Sequence, residues 1–175
     1  MLRGGPTQEE VLAISLSKLD LRSGDVLADI GCGTGRVSLA ASGTASKVYA
    51  IDIRPEAVQC TRDAVSLRGI RNVEVIEGSA LEALDLLERM DCAFVGGSKD
   101  LEKVLAKLVA KGARSIVVNA VLLRTLLTAT RCMKELGIFT EVVQVQVARS
   151  QELAGDIMFK PIDPVWIIVG KVESC

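Results

Sequence analysis

Short runs rich in Val, Ile, Leu and Ala alternate with segments of helical periodicity along most of this chain. A strand wetted on one face alternates apolar and polar residues, whereas a strand covered on both faces reads as one apolar run. Residues 26–30, 47–52, 73–77, 92–95 and 115–118 are of the second kind, and a helical pattern follows each, over 36–42, 55–68, 81–89, 101–110 and 122–136. Parallel neighbours need a crossover long enough to hold a helix. Five such units in succession restrict the chain to an α/β fold, a mostly parallel sheet with helices on both faces in three layers, α/β/α. Punctuation agrees: Pro55 stands where a first helical turn favours it, and Gly69 and Gly137 stand where helices stop. Ahead of the first strand, Thr7-Gln8-Glu9-Glu10 reads as a capping box, with Thr7 as the cap of a helix running to Leu19. After the last helix come two β-like runs, 139–148 and 165–169. Pairing them antiparallel, around an excursion over 149–164, gives seven strands with an antiparallel C-terminal hairpin strand.

The 175 residues show no repeat, linker or low-complexity tract, and 49% are apolar, so one domain over 1–175 with a sizeable core is expected. Several function classes drop out. The chain has no histidine, which removes Ser-His-Asp and Cys-His hydrolases and His-liganded zinc. Cys32, Cys60, Cys92, Cys132 and Cys175 are scattered without a CxxC pair, which favours free thiols over a disulfide framework, and no metal site is expected. Aromatic residues make up 3% and the net charge is −1, a poor basis for gripping nucleic acid or an anionic membrane. The N-terminus lacks an apolar signal region, and the stretch 115–127 is interrupted by Asn119 and Arg124 and too short to span a bilayer. A cytoplasmic protein is the expectation.

The sharpest motif is Asp29-Ile30-Gly31-Cys32-Gly33-Thr34-Gly35, directly after the first strand and before a helix. Ligands of open α/β sheets bind at the carboxyl ends of strands, where strand order reverses, and glycines there let a ligand approach the backbone. A dinucleotide fingerprint has its third glycine three residues after the second. Here Arg36 fills that position and Gly35 precedes it. The Asp-x-Gly-x-Gly-x-Gly pattern instead resembles the first motif of the class I S-adenosylmethionine-dependent methyltransferases, which are Rossmann-like. That resemblance implies S-adenosyl-L-methionine as cofactor, with Thr34 and the glycines beneath its methionine and ribose and Asp29 near its ammonium group. Asp52, closing the second strand about 20 residues on, stands where an acid accepts ribose hydroxyls. Glu77-Gly78-Ser79-Ala80 is similar to the family's adenine loop, with Ser79 in place of the usual acid.

The acceptor is narrowed by what stands after the fourth strand. Gly96-Gly97-Ser98 replaces the Asn/Asp-Pro-Pro-aromatic sequence of amino-methylating enzymes, and no Cys follows a Pro as in enzymes that methylate base carbons. Gly5-Pro6-Thr7, 29–35, Phe94-Val95-Gly96-Gly97-Ser98, Val118-Asn119-Ala120, Val147-Ala148-Arg149 and Asp163-Pro164-Val165 occur in an order that resembles the decarboxylating C(15)-methyltransferases of corrinoid biosynthesis, nearly end to end. Asp163 departs from the Asn usual there. The resemblance implies a cobalt-precorrin substrate in anaerobic cobalamin biosynthesis, a homotetramer, Thr7 touching the cofactor, and substrate contacts from Gly96, Gly97, Ser98, Asn119 and Arg149. No catalytic side chain is assigned, since the ring carbon of such a substrate is already electron-rich. Arg149, Lys160 and Arg124 are candidate ligands for its carboxylates. The competing reading is a class I methyltransferase acting on tRNA or a protein carboxylate. Lys99, Lys103, Lys107 and Lys111, four residues apart along one helix, are the feature a tRNA enzyme would use.

Overall fold

Neighbouring residues of the central strands point to opposite faces, and both faces are dry. Leu27, Val117 and Ile167 join one apolar cluster, while Ala28, Ile116 and Ile168 join the other. This is why the strands read as unbroken apolar runs. The protein is described by a computed structural model covering residues 7–97 and 99–172. Its elements run α1 (Glu9–Leu19), β1 (Val26–Ile30), α2 (Arg36–Ala41), β2 (Lys47–Asp52), α3 (Pro55–Leu67), β3 (Val73–Glu77), α4 (Ala80–Leu86), β4 (Cys92–Val95), α5 (Leu101–Ala110), β5 (Ser115–Ala120), α6 (Leu123–Glu135), β6 (Phe139–Val145), β7 (Ala148–Leu153), β8 (Asp156–Pro161) and β9 (Val165–Lys171).

The main sheet has seven strands in the order β3-β2-β1-β4-β5-β9-β6. β1 to β5 are mutually parallel, and β9 runs antiparallel to both neighbours, β5 and β6. The sequence-based expectation of seven strands with an antiparallel closing pair therefore holds. α1 and α2 cover one face through Val11, Leu19 and Val37, and α3 packs beside them on β2 and β3. α4, α5 and α6 cover the other through Leu84, Leu105, Leu108 and Met133, all fully buried. Each such side chain contributes about 1.5–3 kcal/mol by leaving water.

Four details depart from the sequence expectation. The N-cap of α1 is Gln8, with no side-chain cap hydrogen bond, so the capping box on Thr7 does not form, and the Glu10 carboxylate is engaged by Arg149 at 2.7 Å. α4 stops at Leu86, because Leu87 turns into extended backbone (φ −94°, ψ 134°) to bury its side chain, and the Lys111 ammonium takes up its carbonyl. β5 continues to Ala120, since β9 pairs with it as far as Ala120↔Trp166. The excursion is itself structured: β7 and β8 form a separate two-stranded antiparallel hairpin, and β6 ends at Val145 rather than running to 148. Its two-residue turn is Ala154-Gly155, both at positive φ (53° and 81°).

Among the described residues no helix is long and apolar enough to cross a membrane, no group of His, Cys, Asp or Glu is placed to hold a metal, and Cys32, Cys60, Cys92 and Cys132 are free.

Candidate functional site

Strand order reverses between β1 and β4, and the loops leaving these two strands meet there. Gly31 has φ +76°, and a Cβ built on it would lie 3.1 Å from the Gly97 backbone nitrogen. Glycine at this position lets the two loops touch without a side chain between them. The Gly31 and Cys32 amides both donate to the Ile51 carbonyl, at 2.7 and 3.0 Å, which locks the loop to the end of β2. Above it opens a cavity of about 760 Å³, large enough for a nucleoside-sized ligand with room beside it.

Of the residues singled out in the sequence, Thr7, Asp29, Gly31, Cys32, Gly33, Thr34, Asp52, Ser79, Ala80, Gly96, Gly97 and Asn119 line this one cavity. Five do not fit that description, among them Arg124 on α6 and Lys160 on β8, both exposed and outside the lining. Gly35 faces away, toward α3, where a Cβ would come within 2.7 Å of the Thr61 methyl. Arg149 lies on the exposed hairpin strand β7 and pairs with Glu10, which lowers the Glu10 pKa through the hydrogen bond. Ser98 lies outside the described residues. Sequence reasoning missed Ile53, Arg54, Leu81, Val104, Val121 and Ile162 in the lining. Ile53 carries the one signal that was available, an apolar residue just past a strand-end acid, and it is half exposed.

Asp29 is wholly buried. Its Oδ2 accepts hydrogen bonds from the Ser38 amide at 3.0 Å and the Ser38 hydroxyl at 2.5 Å. Its Oδ1 has no hydrogen-bond partner among the described residues. Burial drives the carboxyl pKa up to about 6, against the pull of the Ser38 donors. A buried carboxylate oxygen without a donor is costly. Placed in a cavity wall, it suits a cationic or N–H-bearing ligand.

Asp52, at the end of β2, is satisfied. Its oxygens accept from the Gly33 amide at 3.0 Å, the Arg54 amide at 3.0 Å, Arg54 Nε at 3.0 Å and Arg54 Nη2 at 2.9 Å. Burial raises its pKa, but the Arg54 and Gly33 donors outweigh burial and hold it below the usual carboxylate range. The Cys32 thiol, 3.7 Å from the Thr61 hydroxyl, is pushed up to about 12 by burial and the nearby Asp29 charge. It stays protonated at neutral pH and offers no nucleophile. On the far side, Asn119 at the end of β5 is held by reciprocal hydrogen bonds with the buried Ser15 of α1, at 3.0 and 3.1 Å.

The lysine row on α5 is partly consumed by packing. Lys107 pairs with Asp85 at 2.6 Å, and Lys111 reaches backbone carbonyls of the α4 end. Lys99 and Lys103 stay exposed, so half of the row is engaged within the protein.

A 3-2-1-4-5 parallel order ending in an antiparallel pair, with a glycine-turned switch point and an acid closing β2, defines a Rossmann-like methyltransferase of class I. Residues 3–170 match the precorrin methyltransferase domain. A probable cobalt-precorrin-6B C(15)-methyltransferase (decarboxylating) of Methanosarcina acetivorans is 49% identical over 98% of this chain and 96% of its own length. The crystal structure of a precorrin-6Y C5,15-methyltransferase from Geobacter metallireducens superposes with a TM-score of 0.92 at 34% identity, covering 98% of this chain and 94% of that one. A precorrin-8W decarboxylase from Methanobacterium thermoautotrophicum gives 0.91 at 36% identity, covering 96% and 92%. The chain belongs to the precorrin methyltransferase family.

Proposed function

We propose that this methyltransferase transfers a methyl group from S-adenosylmethionine to carbon 15 of cobalt-precorrin-6B, with loss of carbon dioxide from an acetate side chain, in anaerobic cobalamin biosynthesis. The observation that carries the cofactor half is the buried Oδ1 of Asp29, a residue of the cavity wall, which has no hydrogen-bond partner among the described residues. It fits the cofactor's ammonium group, which brings both a positive charge and N–H donors. Gly31, Gly33 and Thr34 would hold the methionine and ribose, Asp52 would receive the ribose hydroxyls, and Ile53, Ser79 and Ala80 would hold the adenine. When bound, S-adenosylmethionine would supply a sulfonium methyl group for in-line displacement, the neutral thioether S-adenosylhomocysteine being the leaving group.

The protein's part is to hold the acceptor in line and keep water out. Gly96 and Gly97 give a floor without side chains, and Thr7, at the start of α1, closes the cofactor side. Asn119, fixed by Ser15, offers an amide to the macrocycle. Ser98 completes the substrate contacts, and Arg149 exchanges Glu10 for a substrate carboxylate. The absence of imidazole fits a nucleophile that needs no general base. One domain, a homotetramer and a cytoplasmic location complete the reading.

The test is incubation with S-adenosylmethionine and cobalt-precorrin-6B under anaerobic conditions, followed by mass. Gain of one methyl with loss of one carbon dioxide is expected. Unchanged substrate overturns the assignment.

A further inference from the structure

We propose that Arg54 occupies the ribose seat as a displaceable stand-in for the ribose diol, and so sets the affinity for the cofactor. The inference rests on the reading of Asp52 as the acid that accepts the ribose hydroxyls.

Two carboxylate oxygens offer about four lone-pair sites. On Asp52 four donors fill them: two backbone amides, from Gly33 and Arg54, and two groups of the Arg54 side chain, Nε and Nη2. The amides belong to the loop walls and stay. Only the side-chain pair can yield. It is a fork of two N–H donors on adjacent positions of a planar group, one to each oxygen. A vicinal diol presents two O–H donors at similar spacing. The diol therefore reaches Asp52 by replacing the guanidinium donor for donor, and Asp52 never stands without partners.

The positions of the two side chains fit an exchange. Asp52 is buried, with 3% of its side chain exposed, whereas the Arg54 side chain is 34% exposed, and both line the cavity. Arg54 Nη2 lies 3.9 Å from where a Gly33 Cβ would stand, over the loop assigned to the methionine and ribose. The chain binds its own arginine where the cofactor's sugar belongs, and cofactor binding competes with that ion pair.

Removing the guanidinium while keeping an aliphatic stem should strengthen binding. Titration calorimetry with S-adenosylhomocysteine on Arg54→Met is expected to show about tenfold tighter binding than the original protein, the scale of one charge-assisted hydrogen bond. Arg54→Lys, which keeps the charge but loses the fork, should fall between. With the 2′,3′-dideoxy form of S-adenosylhomocysteine, which has no diol to displace the arginine, Arg54→Met and the original protein should bind alike. Equal or weaker binding of S-adenosylhomocysteine by Arg54→Met overturns the stand-in and makes Arg54 a support for Asp52; equal tightening for the dideoxy ligand also overturns it. If the original protein binds no S-adenosylhomocysteine, the cofactor reading falls and this inference with it.

Discussion

Asp29 shows how one residue can cost the fold something that a ligand returns. Its pKa stands near 6 rather than 3.8 because burial penalises the charge. The sign follows from proton linkage. Between those two values the folded state binds more protons than the unfolded one, so stability falls as pH rises through the window, and the full penalty applies above it. A shift of that size corresponds to roughly 3 kcal/mol. Asp29→Asn keeps an acceptor for Ser38 and removes the charge. It should therefore stabilise the ligand-free protein by about 1–3 kcal/mol at pH 7.5, with the gain shrinking as pH falls from 6 toward 4. Urea titrations across that range measure it, and a less stable variant at pH 7.5 would contradict the account. The same substitution should weaken S-adenosylhomocysteine binding. Asp29 and Asp52 were both legible in the sequence as strand-end acids. What separates them, one starved of donors and one saturated, depends on Ser38, Gly33 and Arg54, which no local pattern ties to them. Arg149 was legible only by resemblance, and its Glu10 partner is 139 residues away.

At the level of elements, the three loop glycines look alike in sequence and do different work. Gly31 permits contact with the β4 loop, and Gly35 permits contact between α2 and α3. Gly35 sits at φ +74°, and a Cβ there would overlap Thr61 Cγ2 at 2.7 Å. Gly35→Ala should cost about 2–4 kcal/mol, from left-handed strain and overpacking together. Adding Thr61→Ala should recover the packing part and leave the strain, a coupling of about 1 kcal/mol or more in a double-mutant cycle of denaturation midpoints. Strict additivity would mean that the helices part freely. The strand–helix alternation was readable because the inner parallel strands β1, β2, β4 and β5 are largely dry on both faces, while β3 at the edge keeps Glu74 and Glu77 exposed. The β7–β8 hairpin was not, because Ala148–Leu153 is exposed along its whole length and its Ala-Gly turn lacks the usual Asn-Gly signal.

At the level of the molecule, the same hairpin stands out. A two-stranded sheet alone is marginal in water, and among the described residues this one pairs with no other strand while exposing Leu153, Ile157 and Phe159. The proposed tetramer would cover it. Sedimentation velocity at micromolar concentration should show an assembly, and Ile157→Glu with Phe159→Glu should reduce it to smaller species without unfolding the main sheet. A monomeric original protein would remove that explanation. Within each chain, β9 follows β6 in sequence but lies between β5 and β6 in the sheet. β6 pairs in the main sheet with β9 alone, so its place there depends on a strand that comes later in the chain. Ile162, Asp163 and Val165 arrive with that strand and form part of the cavity wall. The strand that joins β6 to the sheet thus also closes one side of the binding site, so the five parallel strands alone leave that side of the pocket open.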